Sequence, residues 1–158
     1  MTAKYLFVVA ALIAGPLAAC APGPKFLVNV PDGWKSMRPY DRAGQHARFL
    51  ENGPASVSIQ AGRRYMFPSK TALVTQVIRT VVLAGGELNE ISSSPDGSST
   101  RLAYIVEDGA RGRLSGRLAV WLTGDQERII VITGTWPAEQ DKDMTPIFEA
   151  IAASARFE

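Results

Sequence analysis

The sequence RIIVITGT, residues 128–135, decides the fold. Its residues Ile129, Ile130, Val131 and Ile132 are consecutive and apolar, so a β-strand would direct them to both of its faces. A strand that is apolar on both faces must be covered on both faces. The stretch therefore predicts a central strand with packed layers above and below it.

Three further strand patterns precede this stretch. Residues 100–107 and 113–123 alternate between apolar and other side chains, and residues 88–93 predict an additional strand. The links at 108–110 and 124–126 are short enough for hairpins, so these strands should be antiparallel neighbours.

The N-terminal part of the domain also has strand patterns. Residues 26–30 have period two before a turn at 31–33, and residues 46–50 and 55–61 flank the turn signal Asn52-Gly53-Pro54. We expect a hairpin there with a loop longer than two residues. The alternation of Ser and aliphatic residues in 55–61 predicts one core face and one wetter face.

Two segments have helical patterns. Residues 69–84 begin with the N-cap candidate Ser69 and are followed by Gly85-Gly86, a typical helix stop. Residues 137–156 are expected to be helical, with a kink or a division into two helices at Thr145-Pro146, because Pro inside a helix costs about 3 kcal/mol. The sequence therefore predicts an α+β domain in which helices cover an antiparallel β-sheet.

Composition and titratable residues argue against several kinds of site. The chain has 158 residues, with 17 Lys and Arg, 15 Asp and Glu, one His and one Cys. One Cys with one His leaves too few ligands for a Cys–His zinc site. His46 has no second His or recognisable nucleophile nearby in the sequence, and Glu139, Asp141 and Asp143 suit a helix N-terminus better than a cation site. We predict no catalytic residue, no metal and no cofactor.

The first residues differ from the rest of the chain. The uncharged apolar run from Tyr5 to Ala14 is shorter than the roughly 20 residues of a membrane-spanning helix. Leu17-Ala18-Ala19-Cys20 resembles the lipobox of bacterial lipoproteins. The resemblance implies a signal peptide at 1–19, cleavage between Ala19 and Cys20, and acylation of the Cys20 thiol with fatty acids such as palmitate. The alternative is an ordinary signal peptide with an incidental Cys.

Residues 20–24 would then be the lipidated Cys and a short tether. Ala21-Pro22-Gly23-Pro24 reaches about 12 Å in an extended polyproline conformation, so a single α+β domain at 25–158 should lie close to the bilayer. Ala21, rather than an aspartate, follows Cys20. By resemblance to Gram-negative sorting rules, this residue indicates a cell-envelope protein of the outer membrane that faces the periplasm.

Two motifs carry a second resemblance. Pro31-Asp32-Gly33-Trp34 follows the first strand, and Gly134-Thr135-Trp136 ends the last strand before a helix that closes near Ser154 and Phe157. This arrangement resembles the PsbP-like and DcrB-like domains and implies a layered sandwich over most of residues 25–158. Members of these families are mostly noncatalytic assembly factors or envelope lipoproteins, so the resemblance supplies no catalytic residue.

Five residues are candidates for binding a partner. Arg63 and Arg64 begin a loop with apolar residues, and Arg113, Arg117 and Trp121 share one face of a predicted strand. The alternatives are a loop that plugs the core and strand residues that lie under a helix. Nucleic acid is not expected as a partner, because the domain is nearly neutral overall.

Charge is divided unevenly along the domain. Residues 25–84 contain 9 Lys and Arg against 3 Asp and Glu, a net charge of +6, whereas residues 85–158 contain 7 against 12, a net charge of −5. If the two halves separate in space, the domain has a basic side for an acidic protein or anionic lipid. If their strands interleave, the asymmetry means little.

These patterns favour a noncatalytic protein, anchored in the cell envelope by lipid at Cys20, that binds or stabilises a membrane-associated protein complex. The partner protein is not identifiable from the sequence. The alternative function is periplasmic binding of a small ligand in a cleft between the sheet and a helix. An enzyme is the least favoured class.

Replacing Cys20 with Ser tests the anchor. We expect Cys20→Ser to move the protein from the membrane fraction to the soluble fraction and to abolish metabolic labelling with palmitate, because two or more acyl chains are needed for stable anchoring. Ala21→Ser, which keeps the thiol, serves as the matched control. Persistence of Cys20→Ser in the membrane fraction would contradict the prediction.

Overall fold

A computed structural model describes residues 25–37, 40–42 and 45–158. The predicted signal peptide, Cys20 and the tether lie outside the described residues. In chain order the described elements are β1 (Phe26–Leu27), β2 (Lys35–Ser36), β3 (Tyr40–Arg42), β4 (Gln45–Asn52), β5 (Ala55–Arg63), α1 (Lys70–Leu83), β6 (Glu87–Ser93), β7 (Ser99–Asp108), β8 (Gly112–Leu122), β9 (Arg128–Pro137), α2 (Asp141–Ser154) and β10 (Arg156–Phe157).

Strands β2 to β9 form one antiparallel sheet within these ranges, in the order β2-β4-β5-β9-β8-β7-β6, and β3 also pairs with β4. β1 and β10 form a separate two-stranded ladder. The predicted class is confirmed, since an antiparallel sheet is covered by two helices.

Strand β9 lies at the centre of the sheet, between β5 and β8. Ile130 and Ile132 pack in a core that includes residues of α2, whereas Ile129 and Val131 pack in a second core that includes residues of α1. The sheet therefore separates two hydrophobic cores, one on each face. The prediction that residues 128–135 form a central strand covered on both faces is confirmed.

Close packing of two rings organises the α2 side of the sheet. The ring centroids of Trp136 and Phe148 lie 5.8 Å apart. A Cβ atom at Gly134 would lie 2.6 Å from the Trp136 ring and 2.7 Å from the Phe148 ring. Glycine in the Gly134-Thr135-Trp136 motif is thus required for α2 to approach the sheet.

Helix α1 ends as the sequence predicts. The Ser69 hydroxyl accepts a hydrogen bond from the Ala72 backbone N–H at 3.0 Å, and Gly85 adopts a φ of +69° after the last turn. Leu73, Val77 and Val81 face the sheet and are buried. An N-cap hydroxyl and a C-terminal glycine are the expected signals for such boundaries.

Three local expectations are wrong. The β4–β5 loop contains two residues, because Asn52 pairs with Ala55 and Gly53 takes the positive φ of a tight turn. Pro137 itself ends β9, which stays paired with β8 that far, so the helical region starts one residue later, with a 3₁₀ helix at Ala138–Gln140 before α2 begins at Asp141. α2 also continues through Pro146 as one helix, so the expected division into two helices there is wrong.

The two oppositely charged halves of the domain occupy different halves of the sheet. β2 to β5, from the basic half, lie on one side of the β5–β9 boundary, and β6 to β9, from the acidic half, lie on the other. Within the main sheet the strands of the two halves do not interleave, although α1 crosses to cover β7 and β1 pairs with β10. β2 to β5 contain four Lys and Arg against two Asp and Glu, a net charge of +2, whereas β6 to β9 contain four of each. The charge asymmetry of the sequence is therefore only partly an asymmetry of the sheet.

Truncation of a central core residue tests the two-sided burial of β9. We expect Ile132→Ala to lower the free energy of unfolding by about 2–5 kcal/mol, because it leaves a cavity in a fully buried site. Ile91→Ala removes the same atoms from a strand residue that is 55% exposed, and it should change stability by less than about 0.5 kcal/mol. Chemical denaturation measures both values, and equal losses would contradict the assignment.

Candidate functional site

The β1–β10 ladder lies where the chain would leave toward the predicted anchor. Phe26 pairs with Phe157, and the Glu158 backbone N–H donates to the Lys25 carbonyl oxygen at 3.1 Å. The Asn29 backbone N–H donates to the Ser154 hydroxyl at 3.0 Å. The first described residues are thus held against the C-terminal end of α2 and the strand that follows it.

Guanidinium groups from the main sheet cover both aromatic rings of this ladder. The Arg48 guanidinium lies 5.6 Å from the centroid of the Phe26 ring, and the Arg128 guanidinium lies 4.9 Å from that of Phe157. Both distances are typical of cation–π contacts. Arg63 is the register partner of Arg128 on β5 and β9.

We call this group of cationic residues the anchor-side surface. Arg156 belongs to the β1–β10 ladder, and Lys25 directly precedes it. Arg48 and Arg128 contact the rings of the ladder, and Arg63 is the strand partner of Arg128. Asp125 lies 4.0 Å from Arg128, Glu127 precedes Arg128, and Glu158 follows Phe157. Five cations against three acids leave the surface basic.

The loop that begins with the candidate residues Arg63 and Arg64 is partly built into the fold. The Arg64 guanidinium donates to the carbonyl oxygens of Phe67 and Pro68 at 3.2 and 3.3 Å. Phe67 is 5% exposed and plugs the core, whereas Tyr65 is 67% exposed. Arg63 belongs to the anchor-side surface, and Arg64 holds the loop behind it.

The other three candidates share one face of β8, as predicted, but have different surroundings. Arg113 is exposed and lies within 4.0 Å of Glu107 and Glu87. Trp121 is partly buried against the α2-side core. Arg117 lies under α2 and is paired with Asp141. The structure therefore does not bring the five candidates together at one site. The pair Arg63 and Arg64 stays apart from the three candidates on β8.

Asp141 joins the first turn of α2 to the sheet. Its carboxylate accepts hydrogen bonds from Arg117 at 2.9 and 3.0 Å, from the Trp136 indole N–H at 3.1 Å and from the Ser115 hydroxyl. Burial raises the pKa of Asp141, but hydrogen bonds from Ser115 and Trp136 and the Arg117 charge together hold that pKa below its usual value. The cluster is therefore an ionised structural link.

A groove of about 200 Å³ lies on the other face of the sheet, beside α1. Its floor carries the hydroxyl groups of β5 and β9, and Val77, Thr80 and Val81 of α1 line one wall. The hydroxyls of Ser58 and Thr133 lie 2.7 Å apart, and those of Ser56 and Thr135 lie 3.4 Å apart. This face corresponds to the wetter face predicted for residues 55–61.

Within the described ranges, no group of three or more His, Cys, Asp or Glu residues is placed to hold a metal ion. No helix in the same part of the chain is long and apolar enough to cross a membrane. His46 lies in β4, in register with Asp41 of β3 and Ala61 of β5.

Comparison with known proteins supports the fold. No protein-family model matches the sequence. No curated protein matches it. Among solved structures, the Ran-binding protein Mog1p of Saccharomyces cerevisiae aligns with a TM-score of 0.53 and 9% identity over 86% of this chain and 96% of Mog1p. Cyanobacterial PsbP (CyanoP) from Synechocystis sp. PCC 6803 aligns with a TM-score of 0.52 and 17% identity over 91% of this chain and 100% of CyanoP.

At these identities the likeness shows the fold alone, which is the antiparallel α+β architecture of PsbP-like and Mog1-like proteins. The PsbP-like part of the predicted fold is confirmed. The DcrB-like part, the lipobox and the domain boundaries stay predictions.

Removal of the Asp141 charge tests the structural link. We expect Asp141→Asn to lower the free energy of unfolding at pH 7 by about 1–3 kcal/mol, because Arg117 loses its anionic partner under α2. Asp143→Asn, at an exposed position two residues later, should have little effect. Urea denaturation measures both changes.

The stability difference between wild type and Asp141→Asn is also expected to depend on pH. Because the pKa of Asp141 is lower in the folded state, its contribution is complete above the unfolded value of about 3.9 and is lost as the pH falls toward the folded value. The stability difference between wild type and Asp141→Asn should therefore shrink below about pH 4. A difference that stays constant into acid would contradict this role.

Proposed function

We propose that the protein is a noncatalytic, lipid-anchored component of the cell envelope that binds or stabilises a membrane-associated protein complex through its anchor-side surface. The supporting observation is the position of five cations around the β1–β10 ladder, at the point where the tether begins. We place the anchor at Cys20 and the protein at the outer membrane, facing the periplasm.

The short tether restricts which surface meets the bilayer. Ala21-Pro22-Gly23-Pro24 spans about 12 Å, which is less than the width of the domain, and Lys25 follows it directly. The β1–β10 ladder fixes Lys25 opposite Glu158 and next to the Phe26–Phe157 pair. A protein held in this way presents the anchor-side surface to the membrane and to proteins embedded there.

Two arginines of this surface, Arg63 and Arg128, repel each other. Like charges directly opposite each other on paired strands are destabilising, and Arg63 faces Arg128 in this way. Asp125 offsets the charge of Arg128 from 4.0 Å, whereas Arg63 is exposed. An acidic partner surface would relieve this repulsion, which favours a protein rich in Asp and Glu as the partner.

The charge distribution of the sheet gives the interaction a direction. The strands of the basic half of the domain occupy the β2–β5 side, which includes Arg48 and Arg63. Excess positive charge on one side of a molecule orients that side toward an acidic partner during encounter. We infer that the β2–β5 side approaches the acidic partner.

Site-specific photo-crosslinking of the lipidated protein in cells tests this proposal. A photoreactive residue at position 63 should capture one stoichiometric membrane-associated protein, because Arg63 is exposed on the anchor-side surface. The same residue at position 72, exposed on α1, is the matched control and should capture little. Double reversal by Arg63→Glu and Arg156→Glu should lower the yield from a second anchor-side position, Lys25, several-fold.

Arg79→Glu reverses one exposed charge on α1 and should leave that yield unchanged. Equal capture from positions 63 and 72 would overturn the proposal. So would crosslinks from position 63 to lipid alone, because they would assign the surface to the bilayer and not to a protein.

A further inference from the structure

The groove beside α1 contains a polar group that the fold itself does not use. Tyr104 is 9% exposed, and its side chain lines the groove. In the described part of the chain, the Tyr104 hydroxyl has no hydrogen-bond partner, whereas every fully buried side-chain polar atom there has one. The hydroxyl therefore reaches the groove and is not sealed in the core.

A glycine positions this phenol. Tyr104 on β7 pairs with Gly116 on β8, which in turn pairs with Thr135 on β9. The Tyr104 ring lies directly over Gly116, and its hydroxyl oxygen lies 2.7 Å from where a Cβ atom of residue 116 would be. Because no side chain stands at Gly116, the ring reaches over β8, and its hydroxyl lies beside that strand on the face that carries the groove.

The groove around this hydroxyl has apolar walls and a polar floor. Val77 and Val81 of α1, with Val106 and Phe49 of the sheet, supply apolar contacts, and the serine and threonine hydroxyls form the floor. The volume of about 200 Å³ is below the roughly 300–1,000 Å³ of sites for drug-sized molecules. The groove is sized for a small molecule or for one group of a larger one.

The charged side chains that line the groove lie at its rim, where they do not favour binding of a charged ligand. Arg111 is already engaged by Asp108 at 3.1 Å, and Glu51 lies toward the exposed edge of the sheet. Burial raises the pKa of Tyr104 to about 12, partly opposed by the charge of Arg117 on the other face. The phenol thus stays protonated at neutral pH and is available as a donor.

We propose that this groove binds a small uncharged molecule that has an apolar body and a hydrogen-bond acceptor such as a ketone or ester carbonyl, and that the Tyr104 hydroxyl donates to the acceptor. The apolar body packs against the valines of α1, and the carbonyl lies above Gly116. This site is independent of the anchor-side surface and adds ligand binding to the proposed function.

Two probes that differ in one polar group test the site by ¹⁹F NMR. 4-Fluoroacetophenone carries a carbonyl acceptor, and 1-ethyl-4-fluorobenzene has a similar shape without it. The native protein in lipid nanodiscs should bind the ketone saturably above the background of empty nanodiscs, and more tightly than the hydrocarbon. Tyr104→Phe should weaken ketone binding about fivefold, because one hydrogen bond is lost, and leave hydrocarbon binding unchanged.

Hydrocarbon binding by Tyr104→Phe also shows that the groove is intact in the variant. A second variant, Thr80→Phe, should fill the groove from α1 and abolish binding of both probes. Arg79→Phe places the same ring at the adjacent exposed position and should not. Absence of saturable ketone binding, equal ketone affinity in wild type and Tyr104→Phe, or equal losses in Thr80→Phe and Arg79→Phe would overturn the proposal.

Discussion

Burial of β9 on both faces is the constraint on which the remaining structure depends. Ile130 and Ile132 require cover on one side of the sheet, and Ile129 and Val131 require it on the other. One helix cannot satisfy both faces, so α1 and α2 pack on opposite sides. α1 lies over β7 and its neighbours and does not cover the whole of its face of the sheet. The part of that face formed by β4 and β5 is left open as the groove.

The two helices are attached to the sheet by different means. α1 packs mainly through aliphatic side chains, whereas α2 adds the Asp141 carboxylate, which accepts from Arg117, Trp136 and Ser115. Several charge-assisted bonds to one carboxylate fix an orientation as well as a position. The α2 side thus adds directional polar bonds to its apolar packing.

Sequence patterns predicted the elements governed by local chemistry. The central strand, the antiparallel order of β7 to β9 and the boundaries of α1 follow from periodicity, short links and capping residues. Contacts between distant residues were not visible: Asp141 was interpreted as a helix-end charge, and Arg117 as a partner-binding candidate or a strand residue under a helix, because nothing local reveals that the two form an ion pair. The groove was signalled only by the alternating serines of β5, while the Tyr104–Gly116 crossing depends on strand register.

The pairing of β1 with β10 has a consequence for how the chain folds during synthesis. Phe26 emerges early, but its strand partner Phe157 lies more than a hundred residues later. Contacts of such sequence separation form late, because a long loop must close first. The ladder is therefore completed only after β9 and α2 exist, and Phe26 stays without its strand partner until the end of the domain has been made.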